Sequence, residues 1–160
     1  MSEVNFCSML RYEPDSGLFF WIEKSGTRRA NSIAGTKDRN GYIVITINKK
    51  PYRAHRLAWL FLTGEFPDAG IDHINRIRDD NRASNLRLAT TNQNQHNTGL
   101  SSNNKSGFKG VYFNKRDCKY QAQIMVDKRR ISLGLHDTAE QAGVAYLAAS
   151  EKYYGEFSPK

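Results

Sequence analysis

An aspartate and a histidine stand side by side at Asp72 and His73. Two asparagines follow in step, Asn85 twelve residues after the histidine and Asn94 twenty-two after the aspartate. A histidine near its ordinary pKa of about 6.5 can take a proton from water at neutral pH. Aspartate and asparagine offer hard oxygen donors, which suit Mg²⁺ or Mn²⁺ over Zn²⁺. Two protein ligands leave coordination positions for water and for phosphate oxygens, as metal-assisted phosphoryl chemistry requires. A lone Asp-His pair would read as a hydrogen-bonded surface turn; the two asparagines in register turn the reading to catalysis. Adjacent residues of a regular strand point to opposite faces. Asp72 and His73 therefore serve one site only if their strand ends or bends there.

The elements that must position them can be read around the pair. Residues 71–74 are a brief apolar strand, and 75–84 a charged loop too polar to be buried. Residues 85–89 alternate as a return strand, and Thr90 or Thr91 can N-cap a helix over 92–97. A hairpin packed on such a helix would bring Asp72, His73 and Asn94 into one pocket. His96 is the rival to Asn94, but at about 100° per residue the two lie about 200° apart on a helix, so only one faces the pocket. The spacing from Asp72 favours Asn94, and Asn97 shares its face. Arg76, Arg78, Arg82 and Arg87 crowd the segment. They are either solvated loop charge or contacts to a polyanion, and Arg76 and Arg87 are taken as candidates for the second role.

The stretch IDHINRIRDDNRASNLRLATTNQNQHN resembles the ββα-metal site of the HNH endonucleases, in the variant whose third letter is asparagine. The resemblance implies that His73 is the general base and that Asp72 and Asn94 bind one divalent metal, Mg²⁺ or Mn²⁺. It also implies that Asn85 is the middle asparagine, which braces the loop aiming the base. The preceding run, GYIVI…YRAHRLAWLFLTGEFP, is similar to the segment before the Asp-His pair in phage members of that family. By this likeness the chain looks like a phage-type, free-standing homing endonuclease leaving 5′-phosphate and 3′-hydroxyl ends. A single site of this kind nicks one strand.

Upstream, Pro14-Asp15-Ser16-Gly17 is turn chemistry ahead of an aromatic strand over 18–22. Residues 23–40 are polar, broken by Gly26 and Gly35, and carry the adjacent Arg28 and Arg29, either on phosphates or in solvent. Residues 42–47 are β-branched, and a turn at 48–50 leads to a strand over 52–54. With 18–22 these are expected to form one small antiparallel sheet. Leu57, Leu60 and Phe61 recur at helical steps within 55–63, and Gly64 is placed to end that helix. His55, at its start, reads as a catalytic partner or as a satisfied residue at the sheet–helix junction. The second is expected, since nothing at metal-ligand spacing accompanies it.

The chain is basic, with a net charge of +8; eight Lys/Arg against two Asp place +6 of it between Asn103 and Leu135. Interleaved with Tyr and Phe, that cluster favours nucleic acid over an anionic membrane or an acidic protein. Residues 97–107 are rich in Asn, Ser and Gly and read as a linker. Beyond it, strands are expected over 109–113, 120–126 and 130–135. A helix is expected over 137–154, with Thr138 and Gln141 as a capping box. The order KGV…Y-x-A-x-I…LG…T-x-E-x-A…AY-x-x-A resembles the Apetala-two/ethylene-response-factor DNA-binding domain. That resemblance implies a sheet lying in the major groove. Its outward residues would be Tyr112, Asn114, Arg116, Gln123, Arg130 and Ser132, with Lys109, Lys115, Lys128 and Arg129 available to phosphates. Tyr112, Asn114 and Ser132 stand where plant members carry Arg or Trp readers, so no target sequence follows.

The fold class expected is α+β: a ββα-metal HNH nuclease module with an N-terminal antiparallel sheet, then a small three-stranded sheet plus helix. Its expected domains are 1–98, with core motif 71–97, a linker over 99–107, and 108–160. Truncation after Gly99 is expected to leave a weak, less selective nuclease. The expected partner is double-stranded DNA, bound by a monomer or homodimer, with no membrane and no protein partner evident. No apolar run approaches the roughly 18 residues of a membrane span, and the start lacks a signal pattern, so the host bacterial cytoplasm is the expected compartment. Cys7 and Cys118 have no CxxC partners and read as reduced thiols.

Overall fold

The computed structural model describes residues 5–26 and 29–159, so Arg28 lies outside the described residues. The chain divides into two compact units, Met1–Thr90 and Thr91–Lys160. The division falls ahead of the stretch over 97–107 that reads as a linker. Both units are α+β, built on small antiparallel sheets. Among the described residues no helix is long and apolar enough to cross a membrane.

The first unit opens with a one-turn helix, α1 (Phe6–Met9), and a hairpin of β1 (Leu10–Glu13) and β2 (Leu18–Trp21). The strand expected over 18–22 therefore pairs with residues just before it rather than with 42–54. The reason is local. The Pro14–Gly17 turn returns the chain immediately, and Gly17, at φ +72°, donates its N–H to the Glu13 carbonyl at 2.8 Å. A separate sheet holds β3 (Thr36–Lys37), β4 (Ile43–Ile47) and β5 (Lys50–Arg53) in that order, and α2 (Ala54–Thr63) follows at once.

Ala54, Leu57 and Ala58 are fully buried in α2, and Leu60 and Phe61 pack at the margin of the same core. The core is completed by Leu10, Phe19 and Trp21 from the hairpin, Ile45 and Ile47 from β4, and Ile71 and Leu86. Gly64 ends the helix at φ +85°, its N–H on the Leu60 carbonyl, a left-handed position that glycine takes without steric cost. A last hairpin pairs β6 (Gly70–His73) with β7 (Leu86–Ala89), setting Asp72 opposite Arg87 and His73 opposite Leu86.

In the second unit a six-residue helix, α3 (Thr91–His96), precedes a sheet of β8 (Val111–Asn114), β9 (Lys119–Val126) and β10 (Arg129–His136), ordered β10–β9–β8. Helix α4 (Ala139–Tyr154) packs on that sheet, capped by Thr138, whose side chain accepts from the Gln141 N–H at 3.2 Å. The fit is close because two positions lack a Cβ. One at Gly110 would stand 2.2 Å from the Tyr146 ring, and one at Gly143 would stand 2.4 Å from the Phe108 ring.

Candidate active site

Strand β6 ends at His73, its last residue paired with β7. Asp72 and His73 are each only 5% exposed. Helix α2 steadies the approach to this strand: the Arg56 guanidinium donates to the Pro67 carbonyl at 2.9 Å and, at the limit of a hydrogen bond, to that of Ala69.

Past His73 the chain enters the charged loop, and its asparagines replace regular structure. Asn75 Oδ1 accepts from the Ile77 N–H at 2.9 Å. Asn85 Oδ1 accepts from the Asn75 N–H at 2.9 Å, while its Nδ2 donates to the Asp80 carbonyl at 2.8 Å. Asn85 thus ties both ends of the loop. Asp80 receives Asn75 Nδ2 at 2.6 Å and Arg82 Nε at 2.8 Å. The Arg82 contact, foremost, holds its carboxyl down at about 2.

Asn81 meets His73, and is 2% exposed in a loop expected to be too polar to be buried. Its Nδ2 donates to the Asp79 carbonyl at 3.2 Å, which turns Oδ1 toward His73 Nε2 at 3.3 Å. An amide oxygen only accepts, so His73 carries its proton on Nε2 and its lone pair on Nδ1. Burial pushes the His73 imidazole below its ordinary value, against the opposing pull of Asn81, Asp72 and Asp80.

The β1–β2 hairpin holds Asn81 in turn. Tyr12 donates its hydroxyl to the Asn81 carbonyl at 2.7 Å, and Ala83 donates its N–H to the Pro14 carbonyl at 2.9 Å. A Cβ on Gly17 would stand 2.4 Å from the Arg82 nitrogen. No sequence pattern singles out Asn81 among the asparagines of its segment. The turn chemistry of 14–17 is the trace of what fixes it.

Asp72 is not a bare carboxylate. Arg87, facing it across the hairpin, donates Nε at 2.9 Å and Nη2 at 2.7 Å to Oδ2. The remaining arginines divide. Arg82 is held by Asp80, and Arg78 donates to the Asn40 carbonyl at 2.8 Å and lies over the Tyr42 ring. Arg76 is exposed at a turn, at φ +64°.

Asn94 lies on α3 in the second unit. Lys109 closes that helix: its ammonium donates to the carbonyls of His96 and Thr98, each at 2.8 Å. This is the favourable charge for a helix C-terminus. Lys109 is therefore turned to the protein's own carbonyls, where the sequence suggested phosphate. His96, the rival of Asn94, is stacked on Tyr154 with ring centroids 3.6 Å apart.

The pleat settles the orientation of the C-terminal sheet. Val111, Ala122 and Ile124 are buried under α4. The alternate positions Tyr112, Asn114, Gln123, Arg130 and Ser132 fall on the other face, paired as Tyr112–Gln121, Gln123–Ser132 and Met125–Arg130. Gln121 and Met125 join them, unremarked in the sequence. Lys115 and Arg116 are exposed in the β8–β9 turn, Lys128 in the β9–β10 turn, and Arg129 at the start of β10.

Residues 52–96 match the family model described as HNH endonuclease. That segment of the chain is similar to an HNH endonuclease module. A protein of Acanthamoeba polyphaga mimivirus named as an HNH endonuclease is 35% identical over 106 residues, which cover 65% of this chain and 54% of the relative. The chain thus spans about half the length of that relative. A solved structure titled for DNA binding and cleavage by the HNH homing endonuclease I-HmuI is similar over 90% of this chain and 76% of that one, at 18% identity and a TM-score of 0.44. Asp72, His73, Asn81, Asn85 and Asn94 all fall inside the segment matched as an HNH module. Among the described residues no group of three His, Cys, Asp or Glu could hold a metal ion by itself. A metal on Asp72 would therefore draw on amide, water and substrate oxygens, a hard donor set that fits Mg²⁺ or Mn²⁺.

Proposed function

We propose that this protein is a metal-dependent DNA endonuclease of the homing type, with His73 as general base and one divalent metal, Mg²⁺ or Mn²⁺, on Asp72 and Asn94. The observation that carries the reading is the orientation of His73, held by Asn81 so that the Nδ1 lone pair is the basic atom. Nδ1 takes a proton from water, and the hydroxide attacks phosphorus. The P–O3′ bond breaks, leaving a 5′-phosphate and a 3′-hydroxyl once the departing oxygen is protonated. The Nε2–H···Oδ1 contact with Asn81 steadies the imidazolium that forms. A metal held on Asp72 and Asn94 would supply Lewis-acid chemistry when bound. Arg87 holds the Asp72 carboxylate in place, and Asn85 braces the loop that follows His73.

The C-terminal unit, in this reading, is the Apetala-two/ethylene-response-factor-like module that docks the enzyme in the major groove of duplex DNA. Tyr112, Asn114, Gln123, Arg130 and Ser132 would face base edges, while Lys115, Arg116, Lys128, Arg129 and, from the loop, Arg76 would meet phosphates. The polar outward face of the sheet and the positive charge of its turns support this assignment.

Supercoiled plasmid incubated with wild-type and His73→Ala protein, in Mg²⁺, Mn²⁺ or EDTA, tests the reading. Relaxed or linear product that requires both the metal and His73 is expected, with DNA binding intact in the variant. Binding without cleavage in any metal, across many sequences, would replace the enzyme with a DNA-binding regulator.

A further inference from the structure

Two features lie outside the chemistry above. One is His55, in the first turn of α2, which is not satisfied there as the sequence suggests. Its Nδ1 is buried without a hydrogen-bond partner, and its ring lies against His73 with centroids 5.2 Å apart, so it belongs with the site already described. The other is a groove of about 600 Å³ wholly within the second unit. Its size falls in the roughly 300–1,000 Å³ range of small-molecule sites.

The groove lies between residues 101–106 and β8, the edge strand of its sheet. One wall is fixed by its own hydrogen bonds. Asn104 Oδ1 accepts from the Gly107 N–H at 2.8 Å, and Ser106 Oγ donates to the Val111 carbonyl at 2.8 Å. The other wall carries Phe113. By the pleat it shares the inner face with Val111, yet it is 50% exposed where Val111, under α4, is 6%. Tyr120, opposite it in the ladder, meets the Phe113 ring edge to face with centroids 5.2 Å apart. The ring is thus braced from one side and open to the groove. Lys105 and Lys115 line the groove, both exposed, and neither meets a carboxylate among the described residues. Their basic neighbours are engaged, Arg116 with Asp117 and Lys119 with Asp137. Asn103 adds an exposed amide.

From this arrangement we propose that the groove binds an unpaired nucleotide of a single strand, its base stacked on Phe113 and its phosphates met by Lys105 and Lys115. Every base has a π-face, so an aromatic platform flanked by cations takes a single strand without reading its sequence. A paired duplex keeps those faces stacked and has none to offer. An acidic peptide would engage the lysines and leave the ring in water. The inference goes beyond the cleavage reading and stands without it, because binding is measured with the metal removed.

Fluorescence anisotropy of the full chain in EDTA compares a thymidine strand of about eight nucleotides with an abasic strand of the same length and charge. Wild type is expected to prefer the strand with bases about tenfold. Phe113→Leu keeps apolar volume but no ring, and should lose that preference with abasic and duplex affinity unchanged. Phe113→Tyr should retain it. Lys105→Gln should weaken both strands about threefold and lower the slope of log affinity against log salt by about 0.7, as for one phosphate contact of a single strand. No preference in wild type, or one that survives in Phe113→Leu, would overturn the proposal. Should Phe113→Leu melt below the assay temperature, an unchanged slope in Lys105→Gln overturns it alone. Polyglutamate bound more tightly than the thymidine strand would overturn it in favour of an acidic peptide.

Discussion

The loop at 74–85 and the stretch at 97–108 look alike as sequence: each is polar, rich in asparagine and without periodicity. In the folded chain both are built rather than slack, and by the same device. Asparagine and serine side chains grip backbone groups that no helix or strand satisfies. In the second stretch Asn104 Nδ2 donates to the Phe108 carbonyl at 2.8 Å, and Ser106 Oγ donates to the Val111 carbonyl at 2.8 Å. The difference is what the device holds. The first loop adds buried Asn81, the carboxylate of Asp80 and the pressure of the β1–β2 turn, and it bears on His73. The second secures the lead into a sheet. Polar loops of similar composition therefore differ in consequence, and substitutions should separate rate from stability.

The largest effect is expected from Gly17→Ala, which sets a Cβ against the Arg82 backbone at a φ of +72°. Strain and overpacking should cost the first unit about 3 kcal/mol, read from urea denaturation. A wild-type midpoint would mean that the hairpin does not bear on the loop. Asn81→Ala is expected to leave the fold cooperative and remove the contact at His73 Nε2. Single-turnover cleavage should drop on the order of a hundredfold, with duplex affinity retained. Arg116→Ala and Arg130→Ala should do the reverse, weakening duplex binding. Arg116→Ala should also lower the slope of log affinity against log salt by about 0.9 for a lost phosphate contact; unchanged affinity in both variants would remove the sheet as the docking face.

Ser106→Ala is a smaller change, about 1 kcal/mol of stability in the second unit, and the cleavage rate of bound, folded enzyme should not move. The gentlest probe is pH. Unfolded, His55 binds a proton near 6.5, but folded only near 3, so between those values the unfolded chain holds more protons and stability falls as pH falls. Asp80 acts in the same direction lower down: its stabilisation is present above 3.8 and is lost as pH drops through about 2. Denaturation midpoints between pH 7 and about 3 should therefore decline less steeply in His55→Phe than in wild type.

Much of the candidate site was legible because its chemistry is written in residue type and short spacing. Asp72, His73, Asn85 and Asn94 stand out in one segment, and strand, loop, strand and helix follow from local pattern. Gly64 and Thr138 cap helices as composition suggests, because a cap depends on a few neighbouring residues. Strand pairing was less legible: residues 18–22 found a partner across a four-residue turn, and β propensity does not name a partner.

By itself, then, the sequence determined the kinds of element, the candidate site's residue types and the outward positions of the C-terminal sheet, since all three rest on periodicity and chemistry within reach of one segment. The tertiary structure alone decided that Asn81 meets His73, that Arg87 faces Asp72, that Lys109 turns to the end of α3, and that His55 lies against His73 with a nitrogen unmatched. Each of these joins residues by register or by packing between separate elements. A hydrogen bond or ring contact depends on angstrom-scale approach, which no spacing along the chain encodes.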